Sequence, residues 1–163
     1  YIARILQEEL SPKESQQALN ILNFTTNMEH IGDIVNSSLM DISEKKISQH
    51  IHFSKEGFGE IISIHEVVCS NYDLAISTFM SNDCELAKVL YGKKQELHKL
   101  EKSSVSKHIQ RIGKGVTDSL ETSSMHIDVI RDYKRVNSLL SSIAYPILFA
   151  SGEILETRLK QNS

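Results

Sequence analysis

An all-α antiparallel helix bundle is the fold class the sequence predicts, and three features carry that prediction. Apolar residues recur every three to four positions over long stretches, the signature of helix faces. Turn residues are scarce, with 7 Gly and 2 Pro in 163 residues, which disfavours a many-stranded sandwich. Composition is that of a globular domain, 40% hydrophobic and 24% charged, and the length excludes a solenoid of many units.

Taken in order, Tyr1 to Leu10 places Ile2, Ile5, Leu6 and Leu10 on one short helical face. Ser11-Pro12 followed by Glu14 has the pattern of a capping box with proline in the first turn, so a new helix starts there. Leu19, Leu22, Met28, Ile31, Val35, Leu39 and Ile42 predict that it runs unbroken to about Ser43. Glu44 to Phe53 loses the pattern. From Ser54 a stripe of Phe58, Ile61, His65, Val68, Tyr72, Ala75 and Phe79 predicts a second long helix with His65 in the core. Ser81-Asn82-Asp83 ends it in a tight hairpin. Leu86, Leu90, Leu97, Leu100, Val105, Ile109 and Ile112 continue a third stripe until Gly113 and Gly115. Thr117 or Asp118 is expected to cap the last long helix, read through Leu120, Ile127, Ile130, Val136, Leu140 and Ile143. Tyr145-Pro146 then forces a kink or stop, and a tail helix from Ile147 to Lys160 follows.

Charge narrows the partners. A net charge of −3 lacks the basic excess of a nucleic-acid binder, so no nucleic acid is expected. The middle helix is uneven, however: Lys88 to Lys114 holds eight Lys or Arg against Glu96 and Glu101. Acidic residues at its start and basic ones toward its end suit the helix dipole, and the alternative is attraction to a membrane surface or an acidic partner. The apolar run from Ala144 to Ala150 falls far short of the roughly 20 residues that span a bilayer. Two isolated cysteines, Cys69 and Cys84, fit a reducing setting without disulfides. The chain opens at Tyr1 without a leader pattern, which reads as a piece of something longer.

An offset of 105 residues places Met28-Glu29-His30-Ile31-Gly32-Asp33 opposite Tyr133-Lys134-Arg135-Val136-Asn137-Ser138 and aligns Ser11-Pro12 with Val116-Thr117. The implied organisation is a truncated first unit with linker, residues 1–53, then a complete three-helix unit with a tail, residues 54–163. Glu29-His30-Ile31-Gly32-Asp33-Ile34-Val35-Asn36 and Asp83-Cys84-Glu85-Leu86-Ala87 resemble the signatures of PhoU-like proteins. The last helix, Asp128 to Asn137 followed by Ala144-Tyr145-Pro146-Ile147-Leu148, resembles the version attached to bacterial sodium/phosphate cotransporters. The resemblance implies tandem three-helix units on the cytoplasmic face of the membrane, joined to a transmembrane transporter portion of the same chain.

Glu29 and Asp33 lie at i and i+4, about 6 Å apart on one face, where both carboxylates can reach one cation. Asp128 and Asp132 form a similar pair. Because some PhoU-like proteins hold iron or zinc on such carboxylates, the resemblance implies a candidate metal set of Glu29, Asp33, Asp128 and Asp132. The alternative is that these carboxylates face basic residues or water. Asn36 extends the Glu29 face, and Arg131 and Arg135 either stabilise their own helix or receive an acidic or phosphate-bearing partner. Lys93 and Lys94 mark the basic face of the middle helix. No Glu-x-x-His and no nucleophile elbow occurs, so an enzyme is not expected. The expected role is regulatory, through helix-face contacts, in sodium-dependent phosphate transport. Alternatives are a bundle whose main task is metal binding and a free-standing accessory protein of phosphate signalling. An uncovered flank on Ser11 to Ser43 leads to an expected homodimer.

Overall fold

Ser11 opens the first helix as its sequence predicts: its hydroxyl accepts from Glu14 N–H, and the Glu14 carboxylate accepts from Ser11 N–H at 2.9 Å. The Ser11 hydroxyl also donates to Glu14 Oε2 at 2.6 Å, and this bond, followed by that from Ser11 N–H, holds Glu14 below the usual carboxylate range. The computed structural model describes residues 11–154 and contains no strand among them. Helix α1 spans Pro12–Ile34, a π-helical segment spans Val35–Leu39, and α2 spans Met40–Ser48. Then come α3 (Lys55–Ser81), α4 (Cys84–Gly113), α5 (Thr117–Glu121), α6 (Ser123–Ser142) and α7 (Ala144–Ala150). The stub expected over Tyr1 to Leu10 lies outside the described residues. The tail helix expected from Ile147 to Lys160 ends at Ala150, where the chain turns through Gly152 (φ 76°), and its remainder beyond residue 154 lies outside the described residues.

The helix predicted to run unbroken to Ser43 is continuous but not uniform. At Val35–Leu39 its ladder slips by one residue, and Met40 N–H reaches back to Val35 C=O. The extra residue re-aims the helix: Ser38 turns toward α6, where its hydroxyl donates to the buried Asp132 carboxylate. A hydrophobicity count does not register such a slip, because the apolar spacing on either side of it stays helical.

Helices α3, α4 and α6 pack pairwise as an antiparallel trio, with α1 against α6 and α7 against α4. The turn between α3 and α4 is set by Asn82 in the left-handed region (φ 53°) and by Asp83, whose carboxylate caps Leu86 N–H at 2.9 Å. Ile64, Val68 and Ala75 from α3 meet Ala87, Leu90 and Leu97 from α4 and Ile130, Val136 and Leu140 from α6. Each large side chain so buried contributes about 1.5–3 kcal/mol relative to exposure. Phe24 of α1 stacks on Phe79 of α3 at 3.8 Å, and Asn27 donates to Ser142 at 2.8 Å.

Several register expectations need correction. The buried stripe of α3 is Gly57, Ile61, Ile64, Val68, Asn71, Ala75 and Thr78. His65 is exposed, and Phe58 and Tyr72 are 51% and 43% exposed. Polar Asn71 and Thr78 hold core positions, so apolar residues alone pointed about one position to the side. On α4, Ser104 and His108 are buried while Ile109 is 62% exposed. The last long helix is interrupted: α5 starts from Val116 without a side-chain cap, and Thr122 (φ −101°, ψ 12°) separates α5 from α6. The expected cap at Thr117 or Asp118 is therefore absent, since both residues lie inside α5. Pro146 sits in the first turn of α7, where its missing N–H costs nothing, and the break falls at Ile143 because the ring would meet the carbonyl of Ser142 in a continuous helix.

Candidate functional site

The interior of the trio changes character along its length. Near the Asn82 turn it is largely aliphatic, whereas at the opposite end, where α3 begins and α4 finishes, the buried positions are Ser54, Ser104, His108, Ser119, Thr122 and His126. Glu60 and Arg111 anchor this end. Arg111 Nη1 donates to Glu60 Oε1 at 2.8 Å and Nη2 donates to Oε2 at 3.0 Å, while Ser104 donates to Oε2 at 2.8 Å. Burial opposes ionisation of Glu60, but the Arg111 and Ser104 hydrogen bonds and the Arg111 charge outweigh it and hold the carboxyl below its ordinary range. Arg111 Nε donates to Ser119, and Ser119 donates to Ser54, so one guanidinium ties α3, α4 and α5 together.

His108 and His126 stack face to face beneath this pair, with ring centroids 4.5 Å apart and 15° between planes. His126 Nε2 lies 3.3 Å from the Gly57 carbonyl and 3.4 Å from Glu60 Oε2, two acceptors, so the neutral ring carries its proton there. Burial, reinforced by His108, pushes His126 down to about 4, against the opposing pull of Glu60. Burial and the Arg111 charge likewise lower His108. A Cβ at Gly57 would come 3.0 Å from Ser54 Oγ and 3.4 Å from both Arg111 Nη2 and the His126 ring, so glycine is what allows this close approach. His108 faces Ser123 Oγ at 3.0 Å, but neither residue lines the neighbouring groove, and the pair bridges α4 to α6.

A groove of about 790 Å³ runs beside this network between α3 and α4. Gly59 and Ser63 form its low wall on α3, and Ser103, Lys107, Gln110 and Lys114 form the wall on α4. A smaller groove of about 410 Å³ lies between α4 and α6, lined by Tyr91, Lys94, His98, Lys134 and Tyr145. There Glu101 accepts from Lys134 at 2.7 Å and pairs with His98 at 2.9 Å. These hydrogen bonds outweigh burial and lower the Glu101 carboxyl.

The four carboxylates of the expected metal set do not gather as one group. Glu29 and Asp33 are exposed on α1. Asp128 accepts from Arg131 at 2.9 Å, and fully buried Asp132 is engaged by Ser38 and by Arg135 at 3.1 Å. Among the described residues no three His, Cys, Asp or Glu side chains come together as a metal cluster. Asn36 is exposed on the π-helical segment, and Arg131 and Arg135, both more than half exposed, serve their own helix as intrahelical partners. Lys93 pairs with Glu96 at 2.6 Å, and Lys94 approaches the Tyr145 hydroxyl at 3.3 Å. The sequence reading missed Glu60, Arg111, His108 and His126. Their signal was available as polar residues prolonging the helical stripes at one end of all three helices.

Fold and site together define an all-α three-helix unit closed at one end by a buried charged network. The family description of the PhoU domain matches residues 61–147, more than half of the chain, and the chain belongs to the PhoU family. It is 33% identical over 148 residues to the "Putative inorganic phosphate export protein YjbB" of Salmonella typhimurium and 34% identical to the proteins of that name from Escherichia coli K12 and Shigella flexneri. The aligned segment is 91% of this chain and 27% of each relative, so the chain spans about a quarter of their length. No solved structure matches the chain at a significant level.

Proposed function

We propose that this chain is the regulatory PhoU-like domain of a sodium-dependent phosphate transporter, working on the cytoplasmic face of the membrane beside a transmembrane portion of the same gene product. The observation that carries the reading is the alignment of 91% of the chain with 27% of proteins named for phosphate export, which leaves most of each relative to other tasks. The geometry agrees with a regulatory role. Its most elaborate feature, the Glu60–Arg111–His126 network, uses its hydrogen bonds to lock helices together. Among the described residues no helix is long and apolar enough to cross a membrane.

The test is phosphate flux in cells expressing the full-length gene product with or without residues 11–154. Loss of the segment is expected to change the rate of phosphate movement, and replacing sodium by choline is expected to suppress it. Equal flux with and without the segment, at equal membrane levels of the protein, would overturn the regulatory role. Flux indifferent to sodium would remove the sodium coupling alone.

A further inference from the structure

We infer that the groove between α3 and α4 is a binding site for a phosphate-bearing anion. Ser103, Lys107 and Gln110 follow one another at spacings of four and three residues, which sets them on one face of α4, and Lys114, its C-cap residue four positions on, lines the same groove. Every one of these side chains is a hydrogen-bond donor, and none has a hydrogen-bond or ion-pair partner among the described residues. Lys88 and Lys93 of the same helix hold carboxylates and Arg111 holds Glu60, while Lys99 and Lys102, also without such a partner, do not line the groove. The row stretches about 16 Å along the axis at the helical rise.

The facing wall supplies room rather than countercharge. Gly59 and Ser63 present little bulk, and a Cβ added at Gly59 would meet nothing within 4 Å. Glu60 is neutralised by Arg111, which leaves Glu56 as the carboxylate without a partner against the two free ammonium groups. The first turns of α3, where the helix dipole is positive, form part of the same wall. Ile64, Leu100 and Val116 add apolar lining that lowers the local dielectric and strengthens the ammonium groups' attraction. A volume of about 790 Å³ suits a small molecule. An oxyanion with several acceptor oxygens is the chemistry that satisfies ammonium, amide and hydroxyl donors together, as a phosphate group does. The phosphate can belong to a soluble anion or to a lipid headgroup. This inference does not depend on the transport role, because binding is measured without flux.

The experiment uses the whole chain at low salt. Inorganic phosphate and tripolyphosphate are titrated by calorimetry, and co-sedimentation is measured with phosphatidylcholine vesicles with and without phosphatidate. Saturable binding of the soluble anions assigns a free phosphate ligand, whereas binding to phosphatidate vesicles alone assigns a headgroup, and either result upholds the site. Lys107→Gln with Lys114→Gln is expected to weaken binding about tenfold or more, while Lys13→Gln with Lys45→Gln, which removes the same charge elsewhere, leaves it unchanged. Circular dichroism confirms that both pairs fold. No binding to any of the probes, or equal loss in the two double variants, would overturn the inference.

Discussion

Arg111 closes both arms of its guanidinium on Glu60, at 2.8 and 3.0 Å, and thereby joins the end of α4 to the beginning of α3. With side chains 12% and 13% exposed, the two charges stand mostly out of water, and each depends on the other. Removing one partner strands the second, whereas removing both removes the problem. Arg111→Met is expected to cost about 2–4 kcal/mol and Glu60→Leu a similar amount, with the double variant losing clearly less than the sum. Urea denaturation of the four proteins gives the coupling. Strict additivity would mean that the pair does not act as a unit.

Acid should loosen the same end of the bundle. His126 titrates at about 4 in the folded chain against 6.5 for the free side chain, so between those values the unfolded state binds the extra proton. The stabilising effect is complete above pH 6.5 and is lost as pH falls toward about 4, by about 3 kcal/mol at most. Lowered His108 acts in the same direction. Urea midpoints between pH 7 and pH 4 should therefore fall, and His126→Asn should flatten the decline. A profile equally steep in that variant would place the titration elsewhere.

The bundle was legible in the sequence because its determinants are local. Ser11 with Glu14 and the Asn82-Asp83 turn lie within a few residues of what they control, and each helix carries its own apolar period. Membership of the PhoU family was legible for the same reason, through short runs on single helices. The buried network was not. Glu60 and Arg111 lie 51 positions apart, and nothing in either neighbourhood announces the other. His126 was passed over because it is a polar residue in a core position, while His65 was assigned to the core because it occupied a neighbouring place in an apolar count. The π-helical slip at Val35–Leu39 leaves no trace in composition, yet it decides which hydroxyl meets Asp132.

That slip makes a further prediction. Asp132 has no exposed surface and receives Ser38 from across the interface as well as Arg135 from its own helix. Ser38→Ala leaves one oxygen of a buried carboxylate short of a donor, so it should cost about 1–3 kcal/mol. Glu29→Gln, on the exposed face of the same helical rod, should stay within about 0.5 kcal/mol. Thermal unfolding of the two variants side by side checks the contrast, and an equally small effect in both would show that the Ser38 contact adds nothing to stability.

Asn71 and Asn137 present the most stringent case, because their amides meet in the middle of the trio with Asn71 Nδ2 donating to Asn137 Oδ1 at 2.8 Å. Both are 1% exposed, so each amide relies on the other in the folded chain. The pair fixes the relative height of α3 and α6, since a shift of one turn along either helix would bury both amides against aliphatic neighbours. Asn71→Leu alone should therefore cost about 1–3 kcal/mol through the stranded Asn137, and Asn137→Leu should do the same in reverse. Replacing both with Leu removes the stranded groups and is expected to recover most of the loss, while the heights of the two helices become less sharply defined. Denaturation midpoints measure the recovery, and hydrogen exchange in α3 and α6 measures the loss of definition. Recovery of stability with unchanged exchange would show that the aliphatic core already sets the register, leaving the amide pair without that role.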